Sequence, residues 1–375
     1  MSERVGTGAG PPGPPGAEPW QRATGATPTW RLSSAGLRTV LWLELRRLMR
    51  ARRWLVAWGA WTLVVTVVCG LVVLSTVTLG GTVDSSTSTV LFAVTVLVVL
   101  SFGLLVAPGL AATSINGDSR DGTLATLQVT LLSPAEMAVG KLLAAWCGTL
   151  ALLAGALPSL VVAFALGGTS LVRLAVIVLL IGVSLAVVTA VGLGLSAVMT
   201  EPVASVVTSY VVAFCLAVVS PLLVPLSAVL LTTTEDVTYV EAVGYDDVTG
   251  RPTECVERVR TEPVPRTDWT WWLLVTSPYV VVADAAPAQP GGDADADVLR
   301  GLGDVSREAR LGPRLVQDWC SQSDDLDRRA ERDALPPVWP WGLGVFLLLV
   351  AGSTALAVRR LDTPVGRLPV GQRIA

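Results

Sequence analysis

Several apolar stretches of this 375-residue chain are long enough to cross a lipid bilayer. The hydrocarbon core of a bilayer is about 30 Å thick, and a helix needs about 20 apolar residues to cross it. Charged residues make up only 15% of the chain, whereas soluble domains carry about 25%. Because a spanning helix satisfies its backbone hydrogen bonds internally, we expect an all-α integral membrane protein.

Six of these stretches predict six transmembrane helices. They lie at about 54–76, 89–113, 141–166, 174–199, 206–231 and 339–358. Arginines cluster before the first stretch and directly after the last, so the positive-inside rule places both termini in the cytoplasm. Arg173 on a predicted outer turn and Glu201 on a predicted inner turn (200–205) are exceptions to this rule.

Polar or amphipathic segments flank the spans at both ends of the chain. Residues 1–35 are rich in Pro, Gly, Ala and Thr, a composition that predicts a disordered cytoplasmic tail. In residues 36–53, leucines recur at helical spacing among several arginines. This pattern favours an N-terminal amphipathic helix in the membrane interface, and a simple basic flank is the alternative. Residues 359–375 are expected to form a second cytoplasmic tail.

The segment 233–338, between the fifth and sixth spans, is long and acidic; we call it the polar segment. It contains 21 acidic and 11 basic residues, a net charge of −10. Such a segment must lie in water, and the predicted topology makes it extracytoplasmic. Its part 269–282 is apolar but too short to span. That part is either an interfacial or re-entrant piece or the core of a small folded ectodomain.

The five cysteines fall into two groups. Cys69, Cys147 and Cys215 lie in predicted spans, where cysteine acts as a small apolar residue. Cys255 and Cys320 both lie in the polar segment. An exported pair of this kind is a candidate disulfide.

The longest polar interruption in the first two hundred residues is the loop 114–140, between the second and third spans. Residues 118–123 predict a polar turn with candidate N-caps. Leu124, Leu127 and Leu131 then fall on one side of a short helix. A short helix held between two spanning helices can transmit force to both.

The end of this loop carries a helix-start signal. Ser133 is a candidate N-cap, Pro134 occupies the first helical position, and Glu136 can reach back to the cap. This spacing predicts a capping box. The third helix is therefore expected to start before it enters the bilayer near Lys141.

The residues from Pro108 through the run 114–141 (SINGDSRDGTLATLQVTLLSPAEMAVGK) resemble the signature of ABC-type exporter permeases of the second class. The runs 158–170 and 192–210 are also similar to that family. The resemblance extends over about 37–232 and, in outline, over the last span. Asp118 and Asp121 stand where glutamates are usual in the family.

The resemblance implies the permease subunit of an ATP-driven ABC exporter. Such a subunit pairs with a second permease subunit, identical or homologous, and binds a cytoplasmic ABC ATPase subunit. The loop 118–131 would be the coupling helix seated in a groove of the ATPase. The residues implied in ATPase coupling are Asp118, Arg120, Asp121, Gly122, Thr123, Leu124 and Leu127.

The chain itself lacks the sequence features of an ATPase. It contains no G-x-x-x-x-G-K-[ST] phosphate loop, no histidine and no C-x-x-C pair. We therefore expect no enzymatic activity and no cofactor in this chain, with ATP bound by the partner subunit. The lipid bilayer is an expected partner and nucleic acid is not. Lys141 is the only lysine, and this arginine bias indicates a high-GC bacterium, hence a bacterial cell membrane.

Two other functions stay open. A secondary transporter or channel needs ionisable groups or broken helices at mid-membrane. The span interiors carry almost no charged residues, but Pro158, Pro221 and Pro225 favour helix breaks. A membrane-anchored sensor, whose polar segment binds a ligand, is the third reading, although six spans are more than an anchor requires.

Overall fold

The computed structural model describes residues 29–50, 52–79, 85–120, 132–166, 169–245, 252–286, 297–320 and 324–362. Among these residues, six helices are long and apolar enough to cross a membrane. The prediction of six helices long and apolar enough to span a membrane is therefore confirmed. Which ends face the cytoplasm stays a prediction, as do the tails 1–35 and 359–375, most of which lie outside the described residues.

The described helices and strands are numbered here in chain order. The helices before the polar segment are α1 (Ser34–Arg50), α2 (Arg52–Thr78), α3 (Ser85–Ala111), α4 (Asn116–Arg120), α5 (Pro134–Gly155), α6 (Leu157–Ala165), α7 (Leu171–Val198), α8 (Pro202–Phe214) and α9 (Ser220–Leu230). From the polar segment onward come β1 (Thr232–Tyr245), β2 (Pro252–Pro265), α10 (Pro278–Asp284), α11 (Val298–Leu311), β3 (Val316–Asp318), α12 (Asp324–Ala334) and α13 (Trp339–Leu361). A π-helical turn, Cys215–Val219, joins α8 to α9.

Two predicted span boundaries are wrong, and proline explains both. The predicted third span, 141–166, is divided at Ala156 into α5 and α6, with Pro158 in the first turn of α6. Proline has no N–H to donate to the preceding turn, so it is favoured at a helix start and breaks a helix interior. The predicted inner turn 200–205 is mostly helical, because α8 begins at Pro202.

Helices α3 and α7 form the centre of the bundle. Small residues allow close contact: a Cβ built on Gly192 would lie 3.2 Å from Ala111 Cβ, and one on Gly194 would lie 3.1 Å from Ser353 Cβ. By contrast, only 17% of the apolar window of α2 is buried, and only 22% of the windows of α8–α9 and α13. These outer helices therefore present apolar faces to lipid or to another subunit.

The polar segment contains a β-sheet, which the all-α prediction omitted. β1 pairs antiparallel with β2 over 14-residue strands, and β3 lies parallel to β1, giving the order β2-β1-β3. Alternating β-branched and aromatic residues suit such a pleated surface, and Val237, Tyr239 and Val264 form its buried cluster. Cys255 in β2 and Cys320, two residues after β3, are joined by a disulfide.

The apolar piece 269–282 is folded among the helices. It forms 3₁₀ turns at Thr267–Trp269 and Trp271–Thr276 and then α10. Val281 is fully buried against Val187 of α7 and Phe346 of α13. The Tyr279 hydroxyl lies 2.7 Å from Ser101 Oγ of α3. The second half of this piece is therefore buried in the bundle, while Trp269 and Trp272 of its first half are exposed.

Two buried carboxylates fix the polar segment to the spanning helices. Asp284 of α10 accepts hydrogen bonds from Arg307 Nε (3.0 Å), Val338 N (2.6 Å) and Trp339 N (2.9 Å). Arg173 in the first turn of α7 pairs with Asp297 at 2.6 Å, and both side chains are buried. The exceptional charge at Arg173 thus has an acidic partner in the polar segment.

Cys255→Ser is expected to destabilise the polar segment. The bridge joins residues 65 positions apart, and closing a loop of that length stabilises a fold by about 4 kcal/mol. Thermal unfolding followed by tryptophan fluorescence, together with thiol counting under denaturing, non-reducing conditions, would measure the effect. Cys215→Ser, which alters an exposed free thiol, is the control. Free thiols at both Cys255 and Cys320 in the unaltered protein would contradict the assignment.

Gly342→Ala is expected to loosen the contact between α13 and α10. A Cβ there would lie 2.3 Å from Val281 Cγ2 and 2.9 Å from the Val275 carbonyl oxygen, and overpacking of this kind costs about 1–3 kcal/mol. Gly344→Ala, in the same helix, meets nothing within 4 Å and is the matched control. Equal melting temperatures of the two variants in detergent would refute the packing described.

Candidate functional site

The candidate site lies where α1, α4 and α5 meet, at the end of the bundle that carries the loop between α4 and α5. Lys141 Nζ of α5 donates to Glu44 Oε1 of α1 at 2.6 Å and forms a salt bridge with Asp118 of α4. Arg47 of α1 also pairs with Asp118, at 3.1 Å. We call these four residues, two cations and two anions, the charged cluster.

The charged cluster is largely removed from water. The side chain of Lys141 is 2% exposed, that of Asp118 7% and that of Glu44 16%, whereas that of Arg47 is 61% exposed. An isolated charge buried in this way would cost several kcal/mol, whereas a paired one loses much less. Separation of α1, α4 and α5 would therefore leave charges without partners, so the cluster ties the three helices together.

The N-terminus of α5 carries the predicted capping box. Ser133 Oγ accepts from Glu136 N at 3.1 Å, and Glu136 Oε2 accepts from Ser133 N at 2.9 Å, with Pro134 as the first helical residue. The other carboxylate oxygen of Glu136 accepts from Ser33 N at 2.7 Å, just before α1. Ser133 Oγ also donates to the Arg31 carbonyl oxygen. One carboxylate therefore joins the starts of α1 and α5.

Glycines bring α1 and α5 into direct contact. A Cβ on Gly140 would lie 2.6 Å from Val40 Cγ1, and one on Gly36 would lie 2.6 Å from the Glu136 carboxyl group. Two adjacent residues of α5 thus hold α1 in place. Gly140 has no Cβ and so lets α1 approach closely, and Lys141 pairs with Glu44 of α1.

Hydrogen bonds also fix α4 and the turn that precedes it to α7 and α8. Ser196 Oγ of α7 accepts from Ile115 N (3.0 Å) and Asn116 N (3.2 Å). Ser205 Oγ of α8 donates to the Ala112 carbonyl oxygen at 2.7 Å. On the surface, Arg120 pairs with Glu201 at 2.7 Å. The exceptional charge at Glu201 thus has a basic partner on α4.

The structure relocates some of the predicted coupling residues. Asp118 lies inside α4 with its carboxylate buried in the charged cluster, so it is not part of an exposed polar turn. Arg120 is exposed. Asp121, Gly122, Thr123, Leu124 and Leu127 lie outside the described residues. Their coupling role stays a prediction.

Sequence reasoning missed the other three residues of the charged cluster. Glu44, Arg47 and Lys141 were not predicted as site residues, although Lys141 carried a signal. It is the only lysine and stands inside an otherwise apolar helix, where a buried ammonium requires a carboxylate partner. Ser196 carried no signal, because serine is common in helix packing within membranes.

The charged cluster and the polar contacts around it fix the positions of the helices that flank the loop. Within the described residues there is no group of metal-ligating side chains. The loop leaves the described structure at Arg120 and re-enters it at Leu132. Both ends are thus mounted on α1, α5, α7 and α8 by buried polar contacts. The fold therefore defines a helical bundle with six candidate membrane spans, in which the residues on both sides of the loop between the second and third candidate spans are fixed by polar contacts.

Comparisons with known proteins do not assign this chain to a family. No family model matches it, and no curated protein matches it.

Lys141→Met is expected to destabilise the bundle strongly. It would leave Asp118 and Glu44 buried without their shared cation, and breaking a buried ion pair in this way costs about 3–5 kcal/mol. Thermal unfolding in detergent would measure the loss. Adding Asp118→Asn to Lys141→Met should restore part of the lost stability, because the double variant no longer buries the unpaired charge of Asp118.

The exposed Arg120–Glu201 pair supplies the control for the Lys141→Met and Asp118→Asn variants. Arg120→Gln should change the stability by about 0–1 kcal/mol, since surface ion pairs contribute little. Strictly additive losses in the Lys141→Met and Asp118→Asn cycle would show that the two side chains do not interact.

Proposed function

We propose that this chain is the permease subunit of an ATP-driven ABC exporter and that a separate ATPase subunit drives it through the loop between α4 and α5. The observation that carries the proposal is that polar contacts fix the residues on both sides of that loop. Its N-terminal end, α4, is fixed through Asp118 and Asn116, and its C-terminal end through the capped start of α5. A loop held so firmly at both ends can pass a displacement directly to the spanning helices.

The route of that displacement follows the contacts. A push on α4 moves Asp118, which is joined through Lys141 to α5 and Glu44 of α1. The same push moves residues 115 and 116, which are bonded to Ser196 of α7. An ATPase that binds two conformations of this unit with different affinities shifts the population between them. Binding energy on one side of the membrane is thereby converted into helix movement.

We place the motor on a separate ATPase subunit. The chain contains no phosphate-loop motif, so ATP must be bound and hydrolysed by the partner. The resemblance of the run 114–141 to exporter permeases supports the same division of labour. In this proposal the loop and both termini face the bacterial cytoplasm, and the polar segment lies outside.

A second permease subunit completes the proposed transporter. The apolar faces of α2 and α8–α9 are little buried within one chain, and exposed valines recur along α8 at Val203, Val207 and Val211. A face of this kind packs well against lipid or another spanning helix. We propose that a copy or homologue of this chain covers part of it and that the transport pathway lies between the two.

The test is recovery of an ATPase with the tagged full-length chain from detergent-solubilised native membranes. Replacing Asp121-Gly122-Thr123-Leu124 by four alanines should lower the recovered ATPase activity by about tenfold or more, because losing hot-spot contacts costs about 2 kcal/mol. The recovered subunit, identified by mass spectrometry, should contain a phosphate loop.

The polar segment offers a matched control of nearly the same composition. Replacing Asp247-Val248-Thr249-Gly250 by four alanines should leave ATPase recovery unchanged, since this tetrapeptide is placed on the opposite side of the membrane. Full ATPase recovery by the 121–124 variant would refute the coupling role. Transport that survives ATP depletion but stops when the proton gradient collapses would instead identify a secondary transporter.

A further inference from the structure

An apolar groove lies on the surface of the bundle, between residues of α1, α2 and α5. We call it the elbow groove. Its walls come from the end of α1, the start of α2 and the C-terminal half of α5, and its volume is about 420 Å³. Pockets that bind small molecules typically enclose about 300–1,000 Å³. The lining residues used below are Met49, Trp54, Leu55, Trp58, Cys147 and Ala154.

The walls of the elbow groove are apolar because its polar atoms are already occupied. Trp58 Nε1 donates to the Ala151 carbonyl oxygen at 2.7 Å, so the indole presents only its ring to the groove. Met49 and Leu55 are more than half exposed. The groove is thus open to its surroundings, and these surroundings are hydrocarbon if α2 spans the membrane.

Two exposed arginines adjoin the lining of the elbow groove along the chain. Arg50 is the last residue of α1 and Arg52 the first of α2, so along the chain they adjoin the lining residue Met49 and lie near Trp54, and both are exposed. No described carboxylate forms an ion pair with either arginine. Glu44, the nearest acidic residue along the chain, is held by Lys141. The mouth therefore attracts an anion while the interior accepts an alkyl chain.

We propose that the elbow groove binds an anionic glycerophospholipid, with one acyl chain between α1, α2 and α5 and the phosphate on Arg50 and Arg52. Charge complementarity selects this occupant, since an apolar peptide would leave both arginines without a partner. Arginine forms strong charge-assisted hydrogen bonds with phosphate, and basic residues at a membrane surface prefer anionic lipids. The indole rings of Trp54 and Trp58 are suited to the headgroup boundary. This proposal does not depend on the proposed exporter function.

Native mass spectrometry of the full-length protein tests the proposal. The protein would be mixed with equal amounts of phosphatidylglycerol and phosphatidylcholine that carry the same acyl chains. We expect phosphatidylglycerol to be retained preferentially. Arg50→Gln with Arg52→Gln should reduce this preference by about fivefold for each arginine removed. Arg359→Gln with Arg360→Gln, which removes the same charge from the end of α13, should leave it unchanged.

A second pair of variants tests the acyl-chain site separately from the headgroup site. Ala154→Leu places a larger side chain in the groove at an exposed position and should lower retention of phosphatidylglycerol. Ala60→Leu, at an exposed position of α2 that does not line the groove, is the control. Equal retention of the two lipids, or a preference that survives the Arg50 and Arg52 changes, would overturn the proposal. A protein dimer that forms through this face and excludes lipid would do the same.

Discussion

The loop-bearing end of the bundle depends on the ion pairs of the buried Lys141 ammonium group. This group is shared by carboxylates from two other elements, Asp118 of α4 and Glu44 of α1. In a low-dielectric interior, the loss of any one of these three charges leaves another buried charge without a partner, which raises the free energy of the fold. The glycine contact with Val40 and the cap shared through Glu136 bring the same helices together. Helices α1, α4 and α5 are therefore held together as one unit at the loop-bearing end of the bundle.

Buried ion pairs also hold the opposite end of the bundle together. Arg173 at the start of α7 is neutralised by Asp297, and Asp284 joins α10, α11 and the start of α13. Together with the Arg120–Glu201 pair, these contacts explain why charges that break the positive-inside pattern are tolerated. A charge that is paired within the fold no longer reports which side of the membrane it faces. The polar segment is thus a structural part of the bundle rather than a tethered domain.

Local properties of the chain were predictable, and long-range ones were not. Six apolar stretches and the capping box at Ser133 depend on neighbouring residues, so the sequence alone indicated them. The partner of Lys141 in α1 is 97 positions away, and no local pattern identifies it. The sheet was missed because hydropathy describes the polar segment only as polar. The alternation of residues such as Val237 and Tyr239, buried in the hairpin, was the overlooked signal.

The hydrogen bonds from Asp284 to Val338 N and Trp339 N have a consequence for biogenesis. The first amide groups of a helix have no partners within the helix, and α13 receives its acceptor from a residue more than fifty positions earlier in the chain. The sixth candidate span can therefore reach its final packing only after the preceding segment, which carries Asp284, has folded. Folding of this chain ends with the docking of α13, and a folding defect in the polar segment would stall that step.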